Sequence, residues 1–85
     1  MTNAEVRREA LRQLADRRAV ACKASLVFNG LTSEGHGPTL KQVEDELNFL
    51  VGMNPALVEV VKSPLGGDPS YKITSAGILF NEDNP

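Results

Sequence analysis

Apolar side chains recur at helical spacing from the start of the chain, at Val6, Ala10, Leu11, Leu14, Ala21, Cys22 and Phe28. Glu5, Glu9, Arg12, Asp16 and Lys23 fall on the opposite face, the signature of an amphipathic helix. No Gly or Pro interrupts this stretch before Asn29-Gly30. The pattern therefore predicts one long helix over about Asn3–Asn29, with Asn3 as its N-cap and Gly30 as its stop. In the second half the stripe widens to take in Val20, Ala24 and Val27. That half is either deeply buried or packed against a second copy.

After a polar segment rich in helix breakers, Thr32 to Pro38, the spacing changes again. Leu40, Val43, Leu47 and Leu50 follow at i, i+3, i+7 and i+10, with Lys41, Glu44, Asp45 and Glu46 turned to water. Thr39 and Gln42 stand in capping-box positions at the front, and Gly52 marks the end. This is the clearest helix in the sequence. Residues 55–62 are ambiguous. Asn54-Pro55 has the form of a helix start, whereas Leu57-Val58-Glu59-Val60-Val61 has the β-branched content of a strand. Ser63 to Pro69 reads as a loop, and Ser70-Tyr71-Lys72-Ile73-Thr74 alternates as a half-buried strand does. The reading adopted is a short helical turn at Asn54–Ala56, then a hairpin of Leu57–Lys62 with Ser70–Thr74. Thr74 caps a last short helix, Ser75–Phe80.

Composition changes this picture little. The 85 residues, with 41% hydrophobic and 24% charged, form one globular domain at most. Residues 1–80 are expected to make it, and 81–85 an acidic, disordered tail. A domain of this size buries roughly 60–65% of its unfolded surface, so the few aromatics, Phe28, Phe49, Tyr71 and Phe80, are expected to pack in the core. Cys22 is the only cysteine, which suits a reducing compartment. No apolar run reaches membrane-spanning length, and the N-terminus lacks a signal-peptide pattern, so the expected location is cytoplasmic and no membrane partner is implied.

Candidate chemistry is sparse. His36 is the single histidine, and no Cys, second His or carboxylate pair accompanies it, so neither a metal site nor a general base is built around it. Cys22 lies on an apolar helix face, where a thiol behaves as a small hydrophobe. Gly66-Gly67-Asp68 lacks the Lys-Ser/Thr and the following helix of a phosphate-binding loop. Glu44, Asp45 and Glu46 are consecutive, so a helix fans them apart instead of converging them on one ion. No nucleophile pairs with a base. The sequence implies no enzyme activity, cofactor, metal or small-molecule ligand.

The order of helices and hairpin, together with Tyr71-Lys72-Ile73-Thr74-Ser75-Ala76-Gly77, resembles the winged-helix domains of prokaryotic regulators, in which a Tyr-x-Leu/Ile-Thr-x-x-Gly stretch ends the wing. Thr39 to Leu47 is similar to their second helix. The resemblance spans about residues 20–80. It implies an α+β fold with a long N-terminal helix, a second helix, a short helical turn, a two-stranded wing and a short C-terminal helix. In that family a turn, a recognition helix, a strand and the wing separate the second helix from the Tyr. Only Val51 to Ser70 is available for them here, which shrinks the recognition helix to about one turn.

The resemblance implies double-stranded DNA as a partner and a small transcription regulator as the function. Five of nine Lys and Arg residues fall between Arg7 and Arg18, yet the net charge is −2, and a basic excess is the usual footprint of a nucleic-acid binder. The residues assigned to phosphate or base contact are Arg17, Arg18, Lys41, Asn54, Lys62 and Lys72, with Lys62 and Lys72 at opposite ends of the wing strands, where cross-strand pairing is open to them. The alternative is a winged helix used for protein contact, including a homodimer whose seam is Val20, Ala24, Val27 and Phe28.

Overall fold

A computed structural model describes residues 2–17, 20–33, 35 and 37–83. Arg18, His36 and the last two residues of the expected tail lie outside these. Among the described residues the order is α1 (Asn3–Asp16), β1 (Cys22–Lys23), α2 (Ala24–Ser33), α3 (Leu40–Val51), β2 (Val58–Val61), β3 (Ser70–Ile73) and α4 (Ser75–Asp83). The three strands form one antiparallel sheet in the order β1-β3-β2. The chain is thus a small α+β domain.

The N-terminal helix is made of good helix formers, Ala, Leu, Arg, Glu and Gln. Its cap is Thr2, one residue earlier than expected. The Thr2 hydroxyl accepts from the Glu5 N–H at 3.2 Å, and the Glu5 carboxylate accepts from the Thr2 N–H at 3.2 Å, a complete capping box. The single helix expected over 3–29 does not form. It stops at Asp16, Arg17 leaves helical geometry at φ −117° and ψ 37°, and the Arg17 N–H closes on the Leu14 carbonyl. Cys22 and Lys23 then pair with Tyr71 and Ser70 of β3. Every residue from 17 to 24 tolerates helix, so a long-range pairing and not local propensity decides this break.

A second helix, α2, follows at once, and Gly30, expected as a stop, lies inside it. A Cβ at Gly30 would strike the Gln13 side chain of α1, so the glycine allows the two helices to approach closely. Val27 and Leu31 of α2 are completely buried. Residues 40–51 are consequently the third helix of the domain. Thr39 caps α3 by accepting from the Gln42 N–H at 3.1 Å, and the Gln42 amide donates to Asn3 Oδ1 at 3.0 Å, tying the starts of α3 and α1. Gly52 ends α3 as expected.

No helical turn forms at 54–56; the chain bends there and enters β2. The β-branched character of Val58–Val61 thus outweighs the Asn-Pro start signal. The 63–69 loop holds Gly66 and Gly67 at φ +84° and +92°, a region open to glycine at no steric cost. Thr74 closes the hairpin. Its N–H donates to the Leu57 carbonyl at 3.0 Å, its hydroxyl donates to the Ala56 carbonyl at 2.7 Å, and the same hydroxyl accepts from the Gly77 N–H at 3.0 Å. The helix so capped, α4, continues to Asp83, so residues 81–83 are helical and not tail.

The core lies between one face of the sheet and the helices. Val6, Ala10, Leu11 and Leu14 from α1 meet Val27 and Leu31, Val43, Leu47 and Leu50 from α3, and Val58, Tyr71 and Ile73 from the sheet. Cys22 is buried among them, as a small hydrophobe should be. Among the described residues no helix is long and apolar enough to cross a membrane.

Candidate interaction surfaces

Three sets of side chains bear on binding. The first is the solvent face of α3 together with the hairpin. Lys41 is highly exposed, but its Nζ lies 3.4 Å from Asp45 Oδ2, an i,i+4 pair on the helix surface. Glu44 and Asp45 are both exposed beside it. Asn48, on the same face, accepts from the Tyr71 hydroxyl at 3.2 Å. Burial, and secondarily the nearby Glu44 carboxylate, raises the Tyr71 pKa above 10.0, while the bond to Asn48 pulls it down. The outer face of α3 therefore carries two carboxylates against one ammonium that is already paired.

The residues assigned to nucleic acid are not gathered in one place. Lys41 is at the start of α3 and Asn54 lies past its end, about 15 Å away along the axis. Lys72 on β3 sits opposite Glu59 of β2, and Lys62 lies beyond the last pair, Val61 with Ser70. Lys62 and Lys72 are thus not cross-strand neighbours, because the register sets Glu59 opposite Lys72. Arg17 turns inward, its Nη1 lying 3.8 Å from Cys22 Sγ.

The second set is the proposed dimer seam, Val20, Ala24, Val27 and Phe28. Once the helix breaks at Asp16, Val20 is separated from Ala24, Val27 and Phe28, which still share one face at i, i+3 and i+4 of α2. Val20 is exposed in the connection, Ala24 and Phe28 are half-buried against the core, and Val27 is completely buried. A seam through Val27 is excluded, since that side chain is consumed by the monomer's own core.

The third set was not legible in the sequence. Between α1, the end of α3 and α4 runs an open groove of about 450 Å³. Its floor is Leu11, Leu50 and Leu57, and its walls are Phe49, Met53 and Phe80. Phe49 and Phe80 keep 50% and 44% of their surface exposed although the composition placed both in the core. Arg7 and Arg8 of α1 form the rim. The Arg7 Nε donates to Glu46 Oε1 at 2.6 Å, and its guanidinium carbon stands 4.1 Å from the Phe49 ring centre, a charge-assisted bond and a cation–π contact on one side chain. Glu46 was expected to face water but is buried against α1, because Arg7 supplies the partner that lets a carboxylate leave solvent. Arg8 is exposed on the rim, within electrostatic reach of Glu5 one turn earlier.

Among the described residues no group of three or more His, Cys, Asp or Glu is placed to hold a metal ion. No family model, curated protein or solved structure matches the chain.

Proposed function

We propose that this chain is a winged-helix domain that serves protein contact instead of reading DNA. The fold half of this reading is supported by the element order. With α2 as the second helix, a connection, the full-length helix α3, the strand β2 and the hairpin loop come before Tyr71, the sequence of parts that the winged-helix resemblance calls for. The recognition element is then α3, with 12 residues, and no longer a single turn.

The observation that carries the functional half is the charge on that helix. A helix laid in the major groove faces phosphates on both sides. The solvent face of α3 offers Glu44 and Asp45, with Lys41 held by Asp45, so the phosphate field repels it. The apolar groove between α1, α3 and α4 has the exposed aromatic and aliphatic side chains that mark protein contact.

A second reading, a DNA-binding transcription regulator, is favoured by the same topology, which pairs a full recognition helix with a hairpin bearing Lys62 and Lys72. Fluorescence anisotropy of a labelled duplex, titrated at about 20 and 150 mM salt, separates the two readings. The protein-contact reading expects no binding at either salt. Binding that weakens steeply with salt, and that is lost in the Lys62→Ala/Lys72→Ala variant, overturns it.

A further inference from the structure

We infer that the groove between α1, α3 and α4 is filled by α4 of a second copy, giving a two-fold dimer; this rests on the protein-contact reading. In α4 the buried position is Gly77, which faces Leu57 and Ile73. Two residues on, Leu79 points the opposite way and is 61% exposed. Its neighbour Phe80 turns toward the groove. The run Ala76 to Phe80 is apolar; Ala76, Gly77 and Ile78 pack on the domain, while Leu79 and Phe80 keep more than two fifths of their surface exposed.

Charge selects the occupant. The pairing of Arg7 with buried Glu46 leaves Arg8, which has only the exposed Glu5 carboxylate within electrostatic reach on its own helix, as the exposed cation of the groove rim. A complementary occupant presents an apolar anchor and a carboxylate one helical turn apart. The exposed face of α4 has that arrangement in Leu79 and Asp83, at i and i+4. A two-fold arrangement sets Leu79 of each copy into the other's groove and brings Asp83 to the other's Arg8, so one surface supplies both halves of the contact. The apolar walls Phe49 and Met53 then lose their exposure.

Sedimentation equilibrium of the full chain from about 5 to 500 μM tests this, alongside circular dichroism melts to show that each variant folds. The wild type is expected to show a reversible monomer–dimer equilibrium. Leu79→Glu, which leaves the monomer core untouched, should weaken dimerisation at least about tenfold. Arg8→Glu and Asp83→Arg should each weaken it by roughly two- to fivefold, and the double variant should recover the wild-type constant. A wild type that stays monomeric at 500 μM, or a dimer indifferent to Leu79→Glu and to both charge reversals, overturns the inference. If the wild type is monomeric and the duplex titration is also negative, the second copy is excluded while protein contact stands. Salt-dependent DNA binding removes the protein-contact reading whatever the sedimentation result.

Discussion

Gly77→Ala is the substitution whose cost can be worked most directly from the structure. A Cβ built on Gly77 lies 2.7 Å from Ile73 Cγ1 and 3.0 Å from the Leu57 carbonyl carbon, with the Leu57 oxygen closer still. Carbon atoms pack best at about 3.5–4.0 Å, so α4 must shift outward by about 1 Å. That carbonyl already accepts the Thr74 N–H at 3.0 Å, and the shift strains the closure of the hairpin on α4. Overpacking of this kind costs about 1–3 kcal/mol, and a weakened backbone bond about 1 kcal/mol more. Alanine returns about 1 kcal/mol of helix propensity. The balance is a loss of about 1–3 kcal/mol, which lowers the melting temperature by roughly 5–20 °C for a domain of this size. Gly52→Ala is the control. Its Cβ meets only Asn48 and Phe49 carbonyls at 3.6–3.7 Å, and its φ of −81° suits any residue. That variant should match the wild type or gain up to about 1 kcal/mol. Urea melts of both variants decide the matter. A Gly77→Ala protein as stable as Gly52→Ala would show that α4 does not sit against Leu57 as described.

The remaining predictions concern groups whose environment the fold sets. Arg7→Met keeps the aliphatic stem but leaves the Glu46 carboxylate buried without its cation. Discounted for the partial exposure of Arg7, it should cost about 1 kcal/mol in urea melts at pH 7, and less in Glu46→Gln, where no charge is stranded. Glu5 has its pKa lowered by the bonds from Thr2. It therefore adds stability above its unfolded value of 4.5, and that stability is lost as pH falls through the lower folded value. Melts at pH 6 and pH 3 should show this acid loss shrinking in Thr2→Ala. Tyr71 titrates in the opposite sense. Its folded pKa lies above 10.0, so the stability it contributes is complete below pH 10 and declines as pH rises through the folded value. Tyr71→Phe should flatten the alkaline side of the stability curve, while costing no more than about 1 kcal/mol at pH 7.

The parts of the fold legible in the sequence are those settled within a few residues. Thr39 before Leu40-x-x-Val43, Gly52 after Val51, the Gly66-Gly67 loop and the Thr74 cap are local signals, and each sits where local chemistry puts it. The break after Asp16 is different in kind. Residues 17–24 contain no Gly or Pro and keep the apolar spacing of the preceding turns. The pairing of Cys22 and Lys23 with β3, nearly fifty residues later, takes these two residues out of the helix. Missing that two-residue strand shifted the count of helices by one. Residues 40–51 therefore read as the second helix although they are the third.

The same break parts Val20 from Ala24, Val27 and Phe28, whose shared face of α2 packs against the core. The groove was hidden by sequence separation. Phe49 lies off the narrow stripe of α3, and Phe80 is 31 positions away. Their proximity depends on how α1 seats both helices, which no spacing rule encodes.

The central claim is that the working surface lies at α1, the end of α3 and α4, and not at the outer face of α3 and the hairpin. An amide-resolved NMR dilution series of the isotopically labelled chain, from about 1 mM to 20 μM, tests it most directly. Concentration-dependent shifts are expected to cluster at Ala4–Leu11, Phe49–Met53 and Ile78–Asp83, with Lys41–Asp45 and the 62–72 hairpin unmoved. Shifts confined to α3's outer face and the hairpin would contradict it, and none across the whole range would exclude the second copy as the groove's occupant.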